Sequence, residues 1–257
     1  MLITLALLSG VGGFFSGFLG VGGAVVLIPL MLSVPPLLGV GQLTMHEVAG
    51  LTMVQVLVAS FFAFRIHQRS GFIHRKTTLA IGLPMGACAL LGSGLSKYMP
   101  SAYMLMVFGV LVALALVLLL KKTPNESGQG SDAFTFHLAG SILTGALVGF
   151  AAGIVGAGGG FVVIPVMVRL LNIPMRIAVG SSLGIVFIGA LMGSVGKAIT
   201  LQIEWLYLIP VIAGSLPASL WGAHVSKKMP PAYVRYALIA VVALVLINTW
   251  RTILIHP

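Results

Sequence analysis

Gly20-Val21-Gly22-Gly23-Ala24 interrupts an apolar run over residues 2–32 and leads into Val25-Val26-Leu27-Ile28-Pro29. The interruption returns as Gly156-Ala157-Gly158-Gly159-Gly160, followed by Phe161-Val162-Val163-Ile164-Pro165. In hydrocarbon, a backbone group that leaves a helix finds no water, so such a break survives only where protein covers it or where it lines a cavity. A helix that restarts after the break points unpaired N–H groups and the positive end of its dipole into that space. That arrangement suits an anion. Glycine also serves plain helix packing in membranes, because small residues let backbones approach. These clusters differ in recurring together with a trailing proline.

The surrounding sequence is membrane-like. The chain has 257 residues, 59% hydrophobic and 7% charged, with mean hydropathy +1.14. This predicts an all-α polytopic membrane protein embedded in a lipid bilayer. The net charge of +10 sits in short gaps between apolar runs, so it reads as orientation in the membrane and not as nucleic-acid binding. Cys88 is the only cysteine, which excludes disulfides within the chain and thiolate clusters. Met1-Leu2-Ile3-Thr4 has no basic run before the apolar stretch, so it reads as a retained membrane segment.

Taken in order, a broken segment over 2–32 precedes a loop over 33–47 that contains Pro35-Pro36. The loop ends in Thr44-Met45-His46-Glu47, a capping-box pattern with Thr44 as cap. Helices are expected at about 48–64, 77–96 and 101–120. Residues 121–135 are the one strongly polar stretch and read as a linker. A second broken segment over 136–168 is followed by helices at about 177–196, 205–223 and 233–250. The expected organisation is membrane repeat 1–120, linker 121–135 and membrane repeat 136–257.

The repeat is countable. At an offset of 136, ten of the nineteen residues in 13–31 are identical to those in 149–167. At an offset of 130, Gly92, Ser96, Lys97, Met99, Pro100, Ala102 and Tyr103 recur, Gly50 meets Gly180, and Thr52 meets Ser182. If each broken segment crosses once, alternate loops hold eight basic residues against six. If each turns back at its glycines, one side holds eleven of the fourteen Lys and Arg, and only Lys97, Lys197 and Arg251 lie opposite. The positive-inside rule prefers the second count. An unbroken helix over 136–168 would also span roughly 50 Å against a core of about 30 Å. Each repeat is therefore read as one glycine-broken, re-entrant or discontinuous segment plus three transmembrane helices. The two repeats are read as inverted, with the glycine turns meeting near the midplane.

Four acidic residues, Glu47, Glu126, Asp132 and Glu204, are too few for a cation carrier. No paired acids or Ser-His-Asp pattern suggest an enzyme, and neither a metal nor a cofactor is expected. The substrate-binding candidates are Gly20, Gly22, Gly23, Ala24, Thr52 and Gln55, with Gly156, Gly158, Gly159, Gly160, Ser181 and Ser182. Ser16 is a further hydroxyl near the first break. Hydroxyls can donate to an anion, or can bond back within their own helix. His46, beside Glu47, is the candidate for proton coupling.

The paired Gly-x-Gly-Gly-[Gly/Ala] motif with an apolar run to proline, on either side of a polar linker, resembles the sulfite exporter TauE/SafE family of bacterial permeases. It is also called the toluene-sulfonate uptake permease family. The resemblance covers the whole chain. It implies a multi-pass transporter of the bacterial plasma (inner) membrane that moves sulfite, an organosulfonate or a related small anion. It also implies use of the ion gradient, read here as export coupled to protons. By the motif, Gly20, Gly22, Gly23 and Pro29 with Gly156, Gly158, Gly159 and Pro165 fall in the functional core. Where the family often has Gly-Thr-Ser, this chain has Gly50-Leu51-Thr52 and Gly180-Ser181-Ser182, which leaves the substrate open. A passive anion channel and a non-transporting scaffold or enzyme subunit are the rival readings. The residues leave the oligomeric state open, a homodimer included.

Overall fold

A computed structural model describes residues 1–20, 22–68, 74–120 and 138–255. Val21, Arg69, the linker 121–135, His137 and His256 lie outside the described residues, as does the side chain of His67. The described residues form ten α-helices and no strands: α1 (Leu2–Leu19), α2 (Ala24–Leu37), α3 (Met45–Gln68), α4 (Arg75–Ser96), α5 (Ser101–Leu120), α6 (Leu138–Val155), α7 (Gly160–Arg169), α8 (Met175–Ile199), α9 (Trp205–Lys228) and α10 (Pro231–Ile255). Seven of them, α1, α3, α4, α5, α6, α8 and α9, are long and apolar enough to cross a membrane. The chain is thus an all-helical, multi-pass membrane protein.

Burial runs opposite to that of a water-soluble bundle. Ser9, Ser16, Ser60 and Ser93 are fully buried, whereas Leu91 is 66% and Ile209 73% exposed. Lipid tails are as apolar as leucine, so leucine gains nothing by leaving them. Small residues go inside because close backbone approach is what holds membrane helices together.

That approach is visible in two helix pairs. On α1, Gly13 and Gly17 lie against the backbone of Ser215 and Ser219 on α9. On α6, Gly149 and Gly153 lie against the backbone of Met85 and Ala89 on α4. Gly222 meets the carbonyl of Phe14 in the first pair, and Gly92 meets that of Phe150 in the second. A side chain at any of these positions would strike backbone, which cannot move aside. Helices α3 and α8 pack on each other between these pairs. On the outside, α5 packs over α7 and α10 over α2, with Phe108 edge-on to Phe161.

The helices differ from the expected spans mainly at their ends. The loop expected over 33–47 is helical at both ends, because α3 begins at Met45 and α2 continues through Pro35 and Pro36 to Leu37. The chain bends only beyond them, at Gly39 and Gly41, whose φ angles are +64° and +128°. A methyl group on Gly41 would lie 3.7 Å from Sδ of Met1, so the chain leaving α2 arrives beside the start of α1. Gly12 of α1 likewise faces the side chain of Leu27 on α2.

Candidate functional site

Each break joins the carbonyl end of one helix to the N–H end of the next. In the first, Gly20 closes α1 with φ +69° and donates its N–H to the carbonyl of Ser16. Gly23, also at φ +69°, starts α2, and the carbonyl of Gly23 accepts from the N–H of Val26 and Leu27 at 3.1 Å each. In the second, Gly156 donates to Ala152, and Gly159 at φ +69° starts α7. Gly22 and Gly158 have φ of +89° and +62°. These left-handed angles explain the glycines, since an L side chain there costs about 1–2 kcal/mol.

The two breaks come together on the same two residues. A methyl group on Gly22 would lie 3.0 Å from Cγ1 of Val56 and 3.4 Å from Cγ1 of Val186. On Gly158 the corresponding distances are 2.5 Å and 3.5 Å. Val56 and Val186 stand near the midpoints of α3 and α8 and are separated by the offset of 130 found in the sequence. The sequence count omitted this pair, and extending it along α3 would have found it.

Donors are spent on the carbonyl ends. The Thr52 hydroxyl donates to the carbonyl of Gly156 at 2.9 Å and to that of Val48 at 2.7 Å. The Ser182 hydroxyl donates to the carbonyl of Gly20 at 3.3 Å and to that of Val179 at 2.8 Å. Each hydroxyl has one proton, shared between a carbonyl of its own helix, which is the nearer, and the carbonyl end of a break, the second for Thr52 and the first for Ser182. Ser181 is used elsewhere: its Oγ accepts the N–H of His74, just before α4, at 3.1 Å.

The N–H ends are treated differently. Neither α2 nor α7 has a side-chain cap, and their first residues, Ala24, Val25, Gly160 and Phe161, are buried. Helices α1, α8 and α9 also lack such caps, but they begin near the surface, with exposed Leu2, Pro174 and Trp205. Beside the buried ends lie polar groups with no partner in the protein. Gln55 is fully buried, and neither its amide oxygen nor its nitrogen is bonded. It lies three residues beyond Thr52, the spacing that sets two side chains on neighbouring rows of one helix face. The buried Ser16 hydroxyl is also unpartnered, and a methyl group on Gly23 would lie 2.9 Å from Ser16 Cβ. An unpartnered buried polar group costs about 1–3 kcal/mol, and a ligand or ordered water recovers it.

His46 and Glu47 are not at the breaks. Glu47 Oε2 accepts from the Thr44 N–H at 2.6 Å and from its hydroxyl at 2.8 Å, forming the capping box. Nε2 of His46 lies 3.1 Å from the carbonyl of Ser96 and 3.0 Å from that of Met99, which fixes the α4–α5 turn. Ten residues of α3, about 15 Å, separate His46 from Val56.

Sequence reasoning missed Lys197. Placed in a loop by its position, it is instead fully buried in the last turn of α8. Its ammonium donates to Ser96 Oγ, Gln202 Oε1 and the carbonyl of Ile154. Among the described residues no His, Cys, Asp and Glu gather as a metal site.

Crossing helices, buried helix starts and donors gathered at glycine breaks define a multi-pass membrane protein built around an internal polar site. The chain belongs to the sulfite exporter TauE/SafE family, whose model matches residues 5–249, and is accordingly a membrane transporter and not an enzyme. It is 26% identical over 245 residues to YunE, a probable membrane transporter protein of Bacillus subtilis, covering 89% of each chain. It is 27% identical over 224 residues to a probable membrane transporter protein of Xylella fastidiosa strain 9a5c, covering 85% of this chain and 82% of the other. No solved structure matches it.

Proposed function

We propose that this protein is a secondary transporter that moves a small anion, sulfite or an organosulfonate, across the bacterial plasma membrane by alternating access. The observation that carries the reading is the meeting of two buried, uncapped helix starts at Val56 and Val186, with the unpartnered Gln55 three residues along α3 from Thr52. Anions bind readily at helix N-termini, through free N–H groups and the dipole. The substrate site then comprises Gly20, Gly22, Gly23, Ala24 and Gln55 from the first half, and Gly156, Gly158, Gly159 and Gly160 from the second. Thr52 and Ser182 orient the breaks from behind. Such a site carries no full charge of its own, so it binds weakly and releases readily, as a carrier needs.

Two repeats, 1–120 and 136–257, joined by 121–135, supply the moving halves in this reading. Support comes from the paired contacts. Adding 136 to Gly13, Phe14 and Gly17 gives Gly149, Phe150 and Gly153, and subtracting 130 from Ser215, Ser219 and Gly222 gives Met85, Ala89 and Gly92. Inversion is supported by the return of α2 to Met1, which makes the first broken segment a hairpin. Proton coupling is assigned to the His46 region. Nδ1 of His46 faces the Ser101 hydroxyl at 3.4 Å, so both ring nitrogens lie beside polar groups at the α4–α5 turn.

The test is uptake of sulfite, thiosulfate and sulfoacetate into proteoliposomes, with and without an imposed pH gradient. Saturable flux accelerated by the gradient is expected. Flux that does not saturate and ignores the gradient would point to a passive channel, and absence of flux for every anion would end the transporter-of-anions reading.

A further inference from the structure

Lys197 is a buried lysine whose hydrogen-bond partners are all neutral. Its Nζ donates to Ser96 Oγ at 2.6 Å, Gln202 Oε1 at 2.9 Å and the carbonyl of Ile154 at 3.2 Å. An ammonium has three protons, and these three acceptors use them all. Of the acidic residues described, Glu47 is committed to the capping box and Glu204 stands exposed at the start of α9. A charge inside a membrane protein is costly without a counter-charge, and such residues mark ion pathways.

The position of the cluster is specific. Ile154 is in the last turn of α6, two residues before Gly156. The carbonyl of Gln202 lies against Gly50 of α3, and its Nε2 donates to the carbonyl of Ser93 at 3.1 Å and to Thr200 Oγ1 at 2.6 Å. The Ser96 carbonyl in turn faces His46 Nε2 at 3.1 Å. The cluster thereby joins α3, α4, α6 and α8 over the second break, on the side where α3 begins. The residue 130 positions earlier is His67, so the sequence places no second lysine at the matching position.

We propose that Lys197 is the counter-charge of the transported anion on that side of the protein. As the mouth opens, Nζ exchanges the Ile154 carbonyl and the Gln202 amide for an anion oxygen, and it takes them back when the anion has gone. The exchange runs in this direction because an anion oxygen adds a Coulomb attraction to the ammonium that a neutral carbonyl or amide oxygen lacks. With the anion absent, the same ammonium offsets the negative end of α6, which would otherwise face the incoming anion. The proposal rests on the anion-transporter reading above.

The experiment compares the parent with Lys197→Arg, Lys197→Met and Lys197→Gln in proteoliposomes. Sulfoacetate uptake is followed against concentration, and thermal stability in detergent is measured with and without sulfoacetate and sulfite. Met fills the buried volume with an apolar chain, and Gln keeps neutral donors in place. The counter-charge predicts a KM raised about tenfold or more in both Met and Gln variants, with a much smaller change in maximal rate. It predicts loss of anion-induced stabilisation in both, and near-parental KM for Arg. A merely structural tie predicts that Gln behaves as the parent, and that any folded Met variant keeps the parental KM; either result overturns the proposal and leaves the transporter reading standing. A parent that shows neither uptake nor stabilisation with these anions overturns both.

Discussion

Gln55→Leu is expected to make the protein more stable and to leave it unable to move its anion. The amide of Gln55 is fully buried and bonds to nothing in the protein, so its removal relieves a penalty of about 1–3 kcal/mol. Leucine keeps a buried side chain of similar volume at that position. If the amide exists to complete an anion's shell, the same change deletes a donor from that shell. A rise in melting temperature together with loss of saturable uptake is the expected signature. Packing alone predicts the rise without the loss, and a structural polar contact predicts a fall in both.

Gly156→Ala is expected to remove most folded protein. The backbone there has φ +81°, which costs an alanine about 1–2 kcal/mol. The new methyl group would meet the backbone of Ala49, with Cα at 2.5 Å and the carbonyl carbon at 2.6 Å. Backbone in the first turns of α3 cannot yield as a side chain can, so an overpacking cost of about 1–3 kcal/mol or more adds to the strain. A total near 4 kcal/mol is a large share of ordinary stability. Size-exclusion profiles and melting temperatures in detergent would show it. Gly94→Ala is the control, because a methyl group there meets nothing within 4 Å.

The broken segments were legible because glycine and proline in an apolar run conflict with an unbroken membrane helix. The capping box at Thr44 and Glu47 was legible because its partners are three residues apart. What the sequence hid was direction. Thr52 and Ser182 were expected near the breaks as substrate donors, yet only the fold shows their hydroxyls shared between their own helices and the carbonyls of Gly156 and Gly20. Ser181, one residue away, turns to the start of α4 instead. Pro35 and Pro36 read as a loop, but α2 holds them in its last turns and ends only at Leu37. Lys197 was misplaced because the apolar run of α8 was read only to residue 196. The helix extends to Ile199, and the long side chain turns inward to oxygens supplied by α4, α6 and the segment after α8. Burial of that kind depends on neighbours distant in the chain, which no local pattern records.

The central claim is that Gly22 and Gly158 border the space through which the anion passes. Val56 is the side chain that crowds an added methyl group at both, at 3.0 Å and 2.5 Å, whereas Val186 stays at ordinary contact distance. Replacing Val56 by alanine removes the Cγ1 contacts at both positions and leaves the positive-φ strain of about 1–2 kcal/mol at each, with Val56 Cβ still 3.3 Å from a methyl group on Gly158. The decisive measurement is the initial rate of sulfoacetate uptake by the triple variant Gly22→Ala/Gly158→Ala/Val56→Ala, set against Val56→Ala alone at matched folded protein in proteoliposomes. Uptake by Val56→Ala, with a loss of at least tenfold in the triple variant, is the predicted result. A folded triple variant that transports as fast as Val56→Ala would contradict the claim and return both glycines to a packing role.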